Sequence, residues 1–349
     1  MALVLHVDGD RWRNHLREVA TNRPGLVPVI KGNGYGFGAR RLARRSAWLG
    51  VDTVAVGIPA EVEDVASRFD GDILVLTGWR SFEADGIKAK LADRVIHTVG
   101  RLEDLKLLLE RDGTARVVLE RMTSMKRHGF TARGLREAAE LARSRPGVRV
   151  EGASLHLPLG DGGILAEAEQ LMTDIVAAGL AQTVWVSHLS AAEAGALAEQ
   201  YPEVTFRQRI GTELWLGDRG ALEVRAHVLD SHPVERGEAI GYRGRSAPRR
   251  GTVLVVSGGT AHGIGLEAPT GESSVRARVS SVARGGLDAL GLVKSPFTVA
   301  GKARYFAEPP HMQASMLFLP HGARVPAPGE EVTVRVRHTT TSFDEIRFE

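Results

Sequence analysis

Between about residue 25 and residue 220 the chain alternates short apolar runs with longer segments of helical period, and this alternation constrains the fold most. The runs are Leu26–Lys31, Thr53–Gly57, Ile73–Thr77, Arg94–Thr98, Val117–Glu120, Gly152–His156, Thr183–Ser187 and Thr205–Arg209. Between them lie amphipathic stretches such as Ala39–Leu49, Arg101–Arg111, Leu135–Arg143 and Ala191–Gln200. Eight β–α units in about 200 residues match a (β/α)8 TIM barrel in count and length. A doubly wound open sheet is the rival, because periodicity does not say whether a sheet closes.

After about residue 220 the texture changes. Short runs rich in Val, Thr and Arg follow one another: Leu222–Val228, Gly251–Ser257, Ser274–Val282 and Glu331–His338. Gly and Pro clusters separate them, which reads as a mostly β C-terminal domain. The expected division is a barrel over residues 9–221 and a β-rich domain over 222–349, with the opening strand of residues 1–8 joining the latter.

Composition narrows the function. Of 349 residues, 43% are hydrophobic and 25% charged, the balance of a soluble protein with a sizeable core. Lys and Arg number 45 against 42 acidic residues, and the Arg are scattered, so no nucleic-acid partner is expected. With no cysteine, disulfides, thiolate catalysis and Cys-based metal sites are excluded, and no metal is expected. Asp8 and Asp10 interrupt the start before any signal-peptide core, and no run approaches the ~20 apolar residues of a membrane span, so a cytoplasmic protein without a membrane partner is expected.

In a barrel of this kind, functional residues collect where strands end at the carboxyl face. Lys31 closes the first run, Arg127 follows the fifth, His156 ends the sixth, Ser190 follows the seventh and Arg209 ends the eighth. Singly, each has an ordinary structural reading: a snorkelling lysine, a core histidine, a solvent-facing arginine beside Arg207. Jointly they mark one rim.

The decapeptide Val29-Ile30-Lys31-Gly32-Asn33-Gly34-Tyr35-Gly36-Phe37-Gly38 resembles the cofactor-lysine motif of the alanine racemases, V-V-K-A-N-A-Y-G-H-G. The resemblance extends over nearly the whole chain. It implies pyridoxal 5′-phosphate as cofactor, with Lys31 as its Schiff-base lysine and as the base on one face of the substrate α-carbon. Tyr35 and Ser190 (in His188-Leu189-Ser190-Ala191-Ala192) would bond the phosphate, with the backbone of Gly211 and Thr212. His156, in Gly152-Ala153-Ser154-Leu155-His156, would stack on the pyridine ring. Arg209-Ile210-Gly211 resembles the family's R-P-G, so Arg209 would face the pyridine nitrogen. A cation there disfavours protonation of that nitrogen and weakens the electron sink, which points toward racemase-like chemistry. The stretch from Val118 to Phe130 matches H-L-K-V-D-T-G-M-x-R-L-G-F at Thr123, Met125, Arg127, Gly129 and Phe130. Arg127 would help hold the substrate carboxylate or the second base. Glu120 falls where many members carry a carbamylated lysine and would supply the same negative charge.

One part of the pattern is altered. Racemisation moves a proton off one face and returns one to the other, so it needs a second acid–base group. The family's I-G-Y-A-D-G corresponds to Gly258-Gly259-Thr260-Ala261-His262-Gly263, with Thr260 in place of the tyrosine and His262 in place of the aspartate. His262 is the first candidate for the second base, and Tyr242 and Tyr305 are further ones. Pro310-His311-Met312-Gln313 keeps only the methionine of C-M-D-Q, and Phe343 stands where a phosphate-directed tyrosine is matched. The resemblance therefore implies an amino-acid racemase acting on L- and D-alanine or a related small amino acid, as a head-to-tail homodimer with shared sites. Another reaction on the same cofactor (decarboxylation, aldol cleavage) and a non-racemising cofactor-binding homologue stay open beside it.

Overall fold

A computed structural model describes residues 2–160, 162–266 and 293–349. The chain divides into two compact units, Arg13–Gly217 and Met1–Trp12 with Asp218–Glu349. Helix α1 (Gly9–Asn22) carries the chain from one into the other.

The larger unit is a closed barrel of eight parallel strands. These are β2 (Leu26–Ile30), β3 (Thr53–Val56), β4 (Asp72–Gly78), β5 (Val95–Val99), β6 (Arg116–Arg121), β7 (Arg149–His156), β8 (Thr183–Ser187) and β9 (Thr205–Ile210), preceded in the chain by β1 (Leu3–Val7). Closure is made by β2 against β9, with Leu26 opposite Gln208, Val27 opposite Arg209 and Pro28 opposite Ile210. The open-sheet alternative is thereby removed. Val27, Val29, Ala55, Leu74, Ile96, Val118 and Trp185 form one buried cluster drawn from the barrel strands. Side chains alternate along a strand with period two, so Lys31 continues the face of Val29, and Glu120 that of Val118. The apolar interior and the reactive rim are successive layers of one face.

Helices α2 (Ala39–Trp48), α3 (Val62–Ala66), α4 (Leu102–Arg111), α5 (Ala132–Arg143), α6 (Ile164–Ala177), α7 (Ala191–Gln200) and α8 (Thr212–Leu216) follow barrel strands in order. They bury the stripes that their spacing predicts: Leu105, Leu108 and Leu109 on α4, and Leu135, Ala138, Ala139 and Ala142 on α5. One unit differs from the expectation of eight β–α repeats. Between β4 and β5 the chain makes two 3-10 turns, Ser81–Gly86 and Ala89–Arg94, in place of an α-helix. Gly86 interrupts that segment before an apolar stripe can develop, and glycine costs a helix about 1 kcal/mol relative to alanine.

The smaller unit is an eight-stranded sheet in the order β13-β16-β15-β14-β17-β10-β1-β18. Its strands are β10 (Leu222–Val234), β13 (Gly251–Ser257), β14 (Lys294–Val299), β15 (Lys302–Phe306), β16 (Ala314–Pro320), β17 (Glu331–Val334) and β18 (Glu345–Phe348), with a separate hairpin of β11 (Ala239–Ile240) and β12 (Arg245–Ser246). Strand β1 pairs antiparallel with β10 and parallel with β18. The Ser274–Val282 run lies outside the described residues.

Arg23, just before β2, is buried and ties two rim loops together. It donates to the Leu189 carbonyl at 2.9 Å, to Gln208 Oε1 at 3.0 Å, and to both Glu213 oxygens at 2.7 and 2.9 Å. Hydrogen bonds to charged groups contribute about 1.5–3 kcal/mol, and truncating one partner leaves the others unpaired. Arg23→Met is expected to lower stability by about 2 kcal/mol in urea unfolding, within that range. An unchanged midpoint would show that these loops hold themselves.

Candidate active site

The rim is organised by the turn after β2. Gly32, Gly34, Tyr35, Gly36 and Gly38 all have positive φ. Tyr35, at φ 55°, adopts there a conformation that L side chains avoid. Burial of its ring holds it: Tyr35 is almost fully enclosed, with its hydroxyl against the turn between β9 and α8. A Cβ on Gly211 would lie 1.9 Å from Tyr35 Oη, so only glycine admits this approach. Burial, aided by Glu61, pushes the Tyr35 hydroxyl up to about 12, which keeps it a neutral donor.

Glu61 fixes the same turn from below. Its Oε1 accepts from Gly32 N at 2.6 Å, and its Oε2 accepts from Gly57 N at 2.7 Å. The sequence signal was available in Ile58-Pro59-Ala60-Glu61, a proline and a glutamate opening a helical turn. Trp215 Nε1 donates to the Val29 carbonyl at 2.8 Å and fixes the strand that ends at Lys31.

Lys31 opens to the mouth, yet its amine is held below the usual lysine range. Loss of water around the ammonium is the first cause and the Arg127 charge the second; Glu61 opposes them and Arg209 adds to them. Arg209 is buried and donates to the Leu155 carbonyl at 2.8 Å. Burial brings it down to about 10 against the pull of Glu120, so it stays a cation at neutral pH. Glu120 is also buried, and burial raises its pKa, while Arg209 and Arg127 oppose that rise. Arg209 Nε and Glu120 Oε2 are buried without a hydrogen-bond partner among the described residues. His156 is driven down to about 3, first by burial and then by the charges of Arg209 and Arg127, so its ring is neutral. Ser187 Oγ lies 3.0 Å from His156 Nδ1, and the ring of His188 stands 5.1 Å away.

The structure thus brings Lys31, Tyr35, Arg127, His156, Arg209, Gly211 and Thr212 to the rim of one barrel. Ser190 is there too, as the N-cap of α7: its Oγ accepts from Glu193 N, and Glu193 answers to Ser190 N at 2.8 Å. Glu61, Ser187 and His188 are rim residues that the sequence reading passed over, and Arg23, ahead of β2, braces Leu189, Gln208 and Glu213.

Thr260 and His262 belong to the other unit, in a 3-10 turn after β13. Thr260 is exposed. His262 is buried, with Nδ1 accepting from Gly259 N at 3.2 Å and Nε2 on the Asp344 carboxylate at 3.1 Å. Both ring nitrogens are engaged in fastening the turn, which leaves neither for a substrate proton.

The family model for the N-terminal domain of alanine racemase matches residues 7–216. This chain belongs to the alanine racemase family. A curated alanine racemase from Nitratidesulfovibrio vulgaris (strain Miyazaki F) is 27% identical over 272 residues, covering 71% of this chain and 72% of that protein. Among solved structures, alanine racemase from E. faecalis superposes with a TM-score of 0.70 at 21% identity, over 95% of this chain and 88% of that one. The enzyme from Bartonella henselae, with covalently bound pyridoxal phosphate, gives 0.70 at 16% identity over 97% and 91%. A histidine racemase from Leuconostoc mesenteroides subsp. sake gives 0.66 at 16% identity over 97% and 90%.

Alanine racemases depend on pyridoxal 5′-phosphate. The rim fits that group on its own chemistry: a lysine of lowered pKa, a neutral buried phenol against a glycine that no side chain can replace, a neutral imidazole, and two further cations. Gly211→Ala is therefore expected to displace Tyr35 and weaken cofactor binding at least tenfold, about 1.4 kcal/mol, in a titration of visible absorbance. Gly195→Ala, in open space on α7, is expected to bind cofactor normally. Equal affinities for the two variants would refute the Tyr35–Gly211 contact as a binding element.

Proposed function

We propose that this chain is a pyridoxal-phosphate-dependent amino-acid racemase acting on alanine or a related small amino acid. The observation that carries the reading is Lys31: an amine of lowered pKa at a barrel mouth, where burial and the charges of Arg127 and Arg209 outweigh the opposing carboxylate of Glu61. Lys31 would hold the cofactor and, once released by substrate, act as base on one face of the α-carbon. When bound, the cofactor supplies an electron sink that makes the α-C–H bond acidic. Tyr35, Ser190 and the Gly211–Thr212 backbone would bind its phosphate, and His156 would orient its ring. Arg209, as a permanent cation, would keep that sink weak, favouring proton transfer over bond cleavages that need a stronger one. Arg127 would hold the substrate carboxylate.

A homodimer is proposed, with the smaller unit of one subunit completing the site of the other. Thr260 in the tyrosine's place favours a second reading, in which Lys31 alone serves one-face chemistry: decarboxylation, aldol-type cleavage, or stereoretentive exchange.

Incubation with L- or D-alanine in heavy water separates the two. Racemisation predicts α-deuteration with inversion and no loss of carbon; deuteration with retention, or a lighter product, selects the second reading. Lys31→Ala is expected to abolish both the visible cofactor band and all exchange.

The pH dependence follows from the lowered lysine. A base must be neutral to accept a proton, so with the enantiomer whose α-proton faces Lys31 kcat should rise with pH along a limb lying below the ordinary lysine range. Arg127→Met removes a charge that lowers Lys31, so this limb should move to higher pH. A limb that stays in place or moves down would disconnect Arg127 from Lys31.

A further inference from the structure

The smaller unit holds an acid–base pair that the proposed function has not used. Glu308 is only 2% exposed, although a buried carboxylate is costly unless it is paired. Its Oε2 accepts from the Tyr242 backbone N–H at 2.9 Å, and its Oε1 meets His311 Nε2 in a short hydrogen bond. The approach is built into the backbone. Gly241 has φ 69°, and a Cβ there would fall 2.1 Å from the Glu308 carboxyl. The imidazole is partly open to solvent, with the exposed Tyr242 ring tilted by 42° against it at 4.7 Å between centroids. Among the described residues no hydrogen bond engages His311 Nδ1.

The position of this pair matters. Thr260 N donates to the His311 carbonyl at 2.8 Å, and Ala261 N to the Met312 carbonyl at 3.0 Å. His311 is therefore zipped to Thr260, where the family motif would place its second-face tyrosine. His262, on the same turn, has both nitrogens occupied.

We propose that His311, held by Glu308, is the second-face acid–base group that the smaller unit of one subunit brings to the barrel site of a second copy; the proposal rests on the racemase and homodimer readings above. Glu308 fixes the Nε2–H tautomer, which leaves the Nδ1 lone pair as the base. In one direction Nδ1 accepts the α-proton as the C–H bond breaks, and the bond's electron pair stays with the α-carbon. The ammonium of Lys31 then gives a proton to the opposite face. In the reverse direction Lys31 accepts and the imidazolium donates. No atom or electron is gained or lost over the cycle: the partly exposed imidazolium returns its proton to water, and the Lys31 amine takes one up before the next turnover. Glu308 is the positioning residue, and its charge offsets the imidazolium that forms.

The test compares holoenzymes of wild type, His311→Gln and Glu308→Gln with L- and D-alanine in heavy water. His311→Gln is expected to keep the visible cofactor band and to α-deuterate only the enantiomer whose proton faces Lys31, with retention. Inversion should fall at least ~100-fold, the lower end of what a general acid–base group contributes. Glu308→Gln is expected to lower kcat for inversion with KM unchanged. In the cofactor-free protein, 15N NMR of the neutral imidazole should show His311 as the Nε2–H tautomer. If wild type inverts alanine and His311→Gln inverts it equally fast, this assignment is overturned and the racemase reading survives. Loss of inversion in Tyr242→Phe but not in His311→Gln overturns it likewise. If wild type exchanges the α-proton of no common amino acid, the racemase reading and this assignment fall together.

Discussion

Closure of the barrel through β2 and β9 is the constraint on which the rest depends. Three paired positions, from Leu26 opposite Gln208 to Pro28 opposite Ile210, join the first and last strands of a chain segment nearly 200 residues long. That register delivers the Lys31 turn to the turn after β9. Tyr35 then meets Gly211, Trp215 bonds the Val29 carbonyl, and Arg209 adds its charge to those around Lys31. Slipping a strand by one residue would reverse which side chains point inward and dismantle all of these contacts together.

The rim works by keeping neighbouring groups in unlike protonation states. His156 is neutral because burial and two guanidinium charges oppose its protonation. Tyr35 is neutral because burial opposes its ionisation. Lys31, pressed by the same cations, is the group moved toward neutrality from the charged side. A site of this composition suits a ligand that brings its own negative charge, as phosphates and carboxylates do, because Glu61 and Glu120 are the carboxylates that oppose Lys31 and Arg209 among the described residues. Glu61 is already committed to three backbone N–H groups, and Glu120 is buried.

Much of this was legible in the chain. The apolar runs fall within a residue or two of the barrel strands at most positions, because a strand buried on both faces must be apolar along its length. The decapeptide around Lys31 reads clearly because several of its positions need left-handed backbone or close approach, and glycine records that need. The smaller unit was less legible. Lys294–Val299, Lys302–Phe306 and Ala314–Pro320 are short strands with one polar face, and they do not stand out from the surrounding loops. Glu61 was missed because its Pro59–Glu61 signal marks a helical turn and carries no record of the Gly32 amide that it holds, and Arg23 because Leu189, Gln208 and Glu213 lie far away in sequence.

The sequence by itself determined the strand count, the lysine turn and the set of charged residues at strand ends, since these follow from local periodicity and glycine placement. Only the tertiary structure decided that the sheet closes, which is a pairing between distant strands. It also decided which histidine of the smaller unit has a nitrogen to offer. By sequence alone His262 is the first candidate, and His311 is only a departure from the family motif. Asp344 and the Gly259 amide occupy both nitrogens of one, whereas Glu308 holds a single nitrogen of the other. Side-chain reactivity is set by partners in space, and local sequence carries no record of them.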